Sequence, residues 1–122
     1  MRSWLQEEPG KPGADEETLP MPTSKRLMIY VDETDMLGDV PLYEAIVRRL
    51  LALHAAGATV HSGIMGFGKH GRVHRKRLFG VSDDRPVAIT VVDSGEKIDE
   101  IIASLRPMVR EGLMIVDDVT VV

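Results

Sequence analysis

Cysteine is absent from the 122 residues. A disulfide framework, a thiolate site for zinc, haem or an iron–sulfur cluster, and thiol catalysis are excluded with it. Long apolar runs are absent too, none approaching the ~18 residues that a membrane-spanning helix needs. Aromatic residues make up only 4%, and Tyr30 and Phe67 are the only candidates for stacking on a base, so a sheet that reads nucleic acid through paired aromatics has no material. A basic excess is also missing. The formal net charge is −4, whereas a dedicated nucleic-acid binder carries a positive one, and no nucleic-acid partner is expected. What is present, 43% hydrophobic and 28% charged residues over this length, suits one soluble globular domain, with the cytoplasm as its default location.

The charges are unevenly placed. Residues 1–24 hold Pro9, Pro12, Pro20 and Pro22, and set Glu7, Glu8, Asp15, Glu16 and Glu17 against Arg2 and Lys11. Without apolar periodicity this stretch reads as a disordered acidic tail in which Trp4-Leu5 is at most a weak docking point, and it resembles neither a secretory signal nor a transit peptide. The folded domain is expected over residues 25–122. Arg26 to Glu33 carries apolar residues on both faces near its start, as a central strand does. Leu42, Ala45, Ile46, Leu50 and Leu53 then recur at helical spacing, with Pro41 in the first turn and Gly57 as C-cap. Ala58 to Ile64 and the nearly continuous apolar run Pro86 to Val92 read as strands. Ile98, Ile101, Ile102, Leu105 and Val109 predict a second helix, capped by Ser94, loosened at Pro107 and closed by Gly112. Val119 to Val122 supplies the last short strand. The order β-α-β-β-α-β predicts an α+β, ferredoxin-like fold: one four-stranded antiparallel sheet, strand order 4-1-3-2, with two helices on one face. Its second strand is then an edge without proline or a row of charges, which invites pairing with another copy.

The stretch from Gly57 to Gly80 is where chemistry is concentrated. Gly66, Gly68 and Gly71 let successive amides converge on an anion, and Lys69 can complete such a nest; phosphate or carboxylate is the ligand this suits. The spacing matches neither a Walker A loop nor a dinucleotide fingerprint. A glycine-rich hairpin that merely turns is the structural alternative. Beside the glycines, Lys69, Arg72, Arg75, Lys76 and Arg77 are interleaved with His70 and His74, and no acid intervenes before Asp83. That density of charge belongs in an exposed loop. It reads as a solvated hairpin tip, as a phosphate trap, or as a docking patch for an acidic partner or membrane headgroups.

In order, these residues resemble the PII signalling proteins, whose second strand carries Gly-x-Thr-Val and runs through Gly-Phe-Gly-Arg-Gln into a long T-loop. Here Thr59-Val60 and Gly66-Phe67-Gly68-Lys69-His70 hold the corresponding places. With Leu42-Tyr43-Glu44-Ala45-Ile46-Val47, the Pro86 strand, Val92-Asp93, Met108-Val109 and Gly112-Leu113, residues 26–122 look like the PII-like family catalogued as domain of unknown function one hundred and ninety. The resemblance implies a homotrimer with an adenine nucleotide in the cleft between neighbours. Thr59, Gly66, Phe67, Gly68, Lys69 and His70 would line that cleft, and the basic segment would report occupancy to a partner such as a membrane transporter or channel. The second glycine-and-lysine loop and the C-terminal arginines of PII proteins, which hold the outer phosphates, have no counterpart here, which favours AMP or ADP over ATP.

Other chemistry has less to stand on. His54, His61, His70 and His74 would make a metal-binding trimer conceivable, but the last two are four apart in what reads as a loop, and no metal is expected. Asp32, Glu33 and Asp35 read as a solvated turn with a capping aspartate in preference to an acid–base or Mg²⁺ site. No nucleophile is paired with a base, so the chain is expected not to be an enzyme and to use no cofactor. A ligand-free trimer docking onto a transporter, or a small phosphoryl hydrolase on the same architecture, are the alternatives.

Overall fold

A computed structural model describes residues 24–68, 73–75 and 85–122. The acidic tail therefore lies outside the described residues, as does most of the basic segment. The strands are β1 (Ser24–Asp32), β2 (Met36–Leu37), β3 (Val40–Pro41), β4 (Thr59–Ser62), β5 (Met65–Phe67), β6 (Val73–Arg75), β7 (Pro86–Ser94) and β8 (Leu113–Val119), and the helices are α1 (Leu42–Ala52) and α2 (Gly95–Leu105). The principal sheet runs β4-β7-β1-β8, with β1 antiparallel to both β7 and β8 and β7 antiparallel to β4. The expected strand order is borne out, with β1 central and β4 on one edge.

Alternation along β1 and β7 sends Leu27, Ile29, Val31, Val87, Ile89 and Val91 to the face that receives Leu42, Ile46 and Leu50 of α1 and Ile98, Ile101 and Leu105 of α2. Each helix buries an i, i+3 or i, i+4 stripe on that face, which is why both lie on the same side. Ser94 caps α2 as expected, its Oγ accepting the Lys97 N–H at 3.2 Å. After Leu105 the chain relaxes into a tighter turn in which the N–H groups of Met108 and Val109 both donate to Leu105 O. This is the looser segment expected at Pro107, which has no N–H to continue the helix.

Three expectations are corrected. Helix α1 ends at Ala52, not near Gly57: His54 adopts φ 62°, and the N–H groups of His54 and Ala55 close on Leu51 O and Leu50 O, a Schellman closure with histidine where glycine is usual. Helix α2 is not closed by Gly112. There the chain turns tightly against β1, and a Cβ would stand 2.5 Å from Tyr30 O. The last strand is Leu113–Val119, not Val119–Val122, because Asp117 and Asp118 do not break it; their carboxylates take Arg26 and Lys25 of β1. Between β1 and α1 the chain also forms a small β2–β3 hairpin, with Gly38 at φ 64° supplying the left-handed residue its turn requires.

Candidate functional site

Among the described residues, strand β4 is joined to the sheet on one side only. Its register with β7, Thr59↔Thr90 and His61↔Ala88, places Thr59 and His61 on the face away from the helices, and all four of its residues are exposed. Past Ser62 the chain meets the start of β7. The Gly63 N–H donates to Pro86 O at 2.7 Å, and a Cβ on Gly63 would lie 2.7 Å from Pro86 Cγ. A Cβ on Gly66 would lie 3.1 Å from the same carbon. Both glycines are thus explained by close approach to one proline ring. The β5–β6 hairpin follows from this seat, with Met65↔Arg75, Gly66↔His74 and Phe67↔Val73. Ile64 and Phe67 are 80% and 73% exposed, so the turn carries an apolar rim beside its backbone.

Gly66 and Gly68 do not have positive φ, Gly38 being the only described glycine that does, and Gly71 and Lys69, the other members of the expected nest, lie outside the described residues. Gly66 sits in a strand, and a Cβ on Gly68 would meet nothing within 4 Å among the described residues. Of the residues singled out from the sequence, Gly66, Phe67 and Gly68 lie together at the seat, and His74 pairs in register with Gly66. Arg75 is the hairpin partner of Met65. Thr59 is at the far end of β4, about 13 Å from Gly63 at the usual strand rise. Lys69, His70, Arg72, Lys76 and Arg77 lie outside the described residues.

Three residues outside the glycine motif stand beside it. Pro86 is the surface on which the two glycines rest, and the Arg85 guanidinium reaches Glu33, Nε to Oε1 at 3.0 Å and Nη2 to Oε2 at 3.3 Å. Glu33 N–H also donates to Arg85 O at 2.8 Å. The acidic turn after β1 is otherwise as expected, Asp35 Oδ2 accepting the Asp32 N–H at 3.0 Å. A proline opening an apolar run was the one visible signal; the pairing of residues 33 and 85 needs the sheet register. At the opposite end of β1, the hydrogen bond from Arg26, followed by its charge, holds the Asp117 carboxyl below the usual carboxylate range despite some desolvation. The Asp118 hydrogen bond raises Lys25 in the same way. Among the described residues no group of three His, Cys, Asp or Glu is placed to hold a metal ion, and no helix is long and apolar enough to cross a membrane.

Residues 24–121 match the model of the family DUF190, described as an uncharacterized ACR. A UPF0166 protein of Aquifex aeolicus is 29% identical over 98 residues, covering 80% of this chain and 92% of that protein. A UPF0166 protein of Methanocaldococcus jannaschii is 34% identical over 96 residues, covering 78% and 88%. Among solved structures, CPII, a nitrogen regulatory PII-like protein from Thiomonas intermedia K12 bound to ADP, AMP and bicarbonate, superposes with TM-score 0.63 at 20% identity, covering 80% of this chain and 86% of that one. The divalent ion tolerance protein CutA1 from Ehrlichia chaffeensis superposes with TM-score 0.57 at 14% identity, covering 83% and 85%. At such identities the likeness is one of fold, the α+β, ferredoxin-like fold described above.

Proposed function

Since the chain belongs to the DUF190 family, we propose that it is a non-enzymatic, cytoplasmic PII-like regulator that binds an adenine nucleotide and reports it to a protein partner. The observation that carries this reading is the edge strand β4 running into a glycine turn seated on Pro86, at the base of a strongly basic segment. CPII, which has this fold, is bound to ADP and AMP. In this reading the amides beyond Gly66 and the Lys69 ammonium hold phosphate, Phe67 offers an exposed ring to the base, and His70 lies alongside. Thr59 stands too far along β4 to share a compact ligand with Gly66 of the same chain, which favours a cleft completed by a neighbouring copy. The free edge of β4 supplies the docking line for a homotrimer.

AMP or ADP is favoured over ATP. Only residues 106–112 separate α2 from β8, with Gly112 packed hard against Tyr30 O and with no lysine and no second glycine among them, which leaves little there to hold outer phosphates. The basic residues Arg72, His74, Arg75, Lys76 and Arg77 then form the output, contacting a partner such as a membrane transporter or channel when the nucleotide is bound.

Thermal shift of the full chain with AMP, ADP, ATP and cyclic AMP, beside light scattering, tests the reading. Ligand at one hundred times Kd stabilises the native state by about 2.7 kcal/mol, so AMP or ADP raises the melting temperature of a particle three times the monomer mass. No shift with any nucleotide favours a ligand-free docking trimer, and turnover favours a phosphoryl hydrolase. A preference for ATP refutes the argument from Gly112.

A further inference from the structure

Strand β4 is held to the sheet at its two ends as well as along its ladder. At one end the Gly63 N–H donates to Pro86 O at 2.7 Å. At the other the backbone pairing stops at Thr59↔Thr90, yet the Ala56 N–H donates to Asp93 Oδ2 at 2.9 Å. Ala56 is the residue that would face Asp93 if the same register ran three positions further, so a carboxylate takes over where the ladder lapses. Its other oxygen, Oδ1, accepts the Ser94 N–H at 2.7 Å, which ties the carboxylate to the start of α2. In the first turn of that helix Lys97 Nζ donates to Leu53 O at 3.0 Å, satisfying a carbonyl that the end of α1 leaves without a helical partner. Two side chains of the β7–α2 junction thus grip the α1–β4 connection on both sides of His54, the residue held at φ 62°. A left-handed histidine is unfavourable by itself, and such geometry persists where its surroundings over-determine it.

The geometry points to Asp93 and Lys97 as positioning residues that hold the edge strand β4 in place from the β7–α2 junction. All four residues of β4 are exposed, and among the described residues it pairs with β7 alone. Little side-chain burial locates such a strand, so the bonds at its ends carry that task. Charge-assisted bonds suit it, being roughly twice as strong as neutral ones. Both Asp93 oxygens accept backbone N–H groups, while Lys25, opposite Asp93 in the β1–β7 register, is engaged by Asp118 at 2.9 Å. The consequence for assembly rests on the reading of β4 as the docking line of a homotrimer. A formed edge presents its free N–H and C=O groups in a row that a second copy can pair. A frayed edge must first be ordered, and its apparent affinity falls with the fraction of molecules in which the edge is formed.

Urea-dependent amide exchange and light scattering over a concentration series, both on the full chain, test this. In wild type Ala56 and Thr59–Ser62 should open together, with a small urea dependence and below the free energy at which β1 opens. Asp93→Ala should speed that shared exchange about ten- to a hundredfold in the absence of urea, and Lys97→Met about three- to tenfold. Glu100→Gln removes the other partner of Lys97, 3.2 Å away, and should leave the rates as they are. Half-assembly of Asp93→Ala should need a protein concentration about threefold or more above that of wild type, at a temperature where the variant is native. If Asp93→Ala does not fold, Asp93→Asn keeps the shape with one acceptor oxygen and should move both readouts the same way by a smaller factor. Exchange of β4 only through global unfolding, or unchanged β4 rates in both variants, overturns the positioning role. Faster local opening with unchanged half-assembly supports that role and overturns its consequence for docking. A wild type that stays monomeric at every concentration overturns the homotrimer reading, while the exchange rates still decide the role of Asp93 and Lys97.

Discussion

Adding a single methyl group at each glycine of the turn in sequence tests how that turn is built. A Cβ at Gly63 would stand 2.7 Å from Pro86 Cγ and 3.2 Å from Pro86 O, one at Gly66 would stand 3.1 Å from Pro86 Cγ, and one at Gly68 would meet nothing within 4 Å among the described residues. None of the three has the positive φ that would penalise alanine through the backbone. The costs therefore follow contact alone. Gly63→Ala must move a ring and a carbonyl that are part of the β7 backbone, and overpacking of that kind costs about 1–3 kcal/mol. Gly66→Ala presses on one ring carbon at a distance a few tenths of an ångström would relieve, and should cost under about 1 kcal/mol. Gly68→Ala restricts only the unfolded chain and should be neutral or stabilising by about 0.4–1 kcal/mol. Urea unfolding, read as midpoint shifts at constant m, gives the three values. Amide exchange at Gly63 shows whether the bond to Pro86 O opens in the first variant. Equal losses at Gly63 and Gly68, or a loss at Gly68 alone, would mean that left-handed backbone geometry and not the proline seat explains these glycines.

Two further perturbations have defined signs. His54→Gly relieves a left-handed residue in the closure of α1 and should stabilise by about 1 kcal/mol in the same unfolding assay; no gain would mean that the imidazole compensates for its backbone. Asp117 titrates below its usual range because Arg26 bonds it, so its contribution is complete above the unfolded value near pH 4 and is lost as pH falls through the lower native one. Arg26→Gln should accordingly differ from wild type at neutral pH and converge with it in acid, and carboxyl chemical shifts should show Asp117 titrating higher in the variant. Lys25, raised by Asp118, has the opposite sign: its contribution is complete below about pH 10 and fades as pH rises further.

The centre of the sheet was legible because strands with a neighbour on each side carry apolar residues on both faces, although only the helix-facing set is fully buried. Leu27, Met28, Ile29 and Val31 can only belong to a strand flanked on both sides, and Val87 to Val92 repeats the signature. The edges were not legible. Leu113, Ile115 and Val116 are all partly exposed, and the two aspartates after them look like loop residues until Arg26 and Lys25 are seen opposite. The end of α1 was misplaced because Leu53 continues the apolar rhythm and packs on the core, while the residue that stops the helix is a histidine. At the candidate site, composition could point to the glycines and the basic run but not to their support. Glu33 and Arg85 are fifty-two positions apart and meet only through the register of β1 with β7. Gly66 looked like a backbone swivel because proximity to Pro86 leaves no trace in local sequence.

The register of β1 also bears on how the protein is made. This strand is synthesised first of the four, yet its partners are β7 and β8, with Ser24 opposite Ser94 on one side and Val119 on the other. On a ribosome β1 would wait, apolar on both faces, until almost the whole domain had emerged. The helix α1 can coil in the meantime, but it has no sheet to settle on before β7 arrives. Pairings this distant along the chain raise the contact order, which slows folding relative to a helical bundle of the same length. Exposure of β1 during that interval makes the nascent chain, more than the finished protein, the form prone to aggregate.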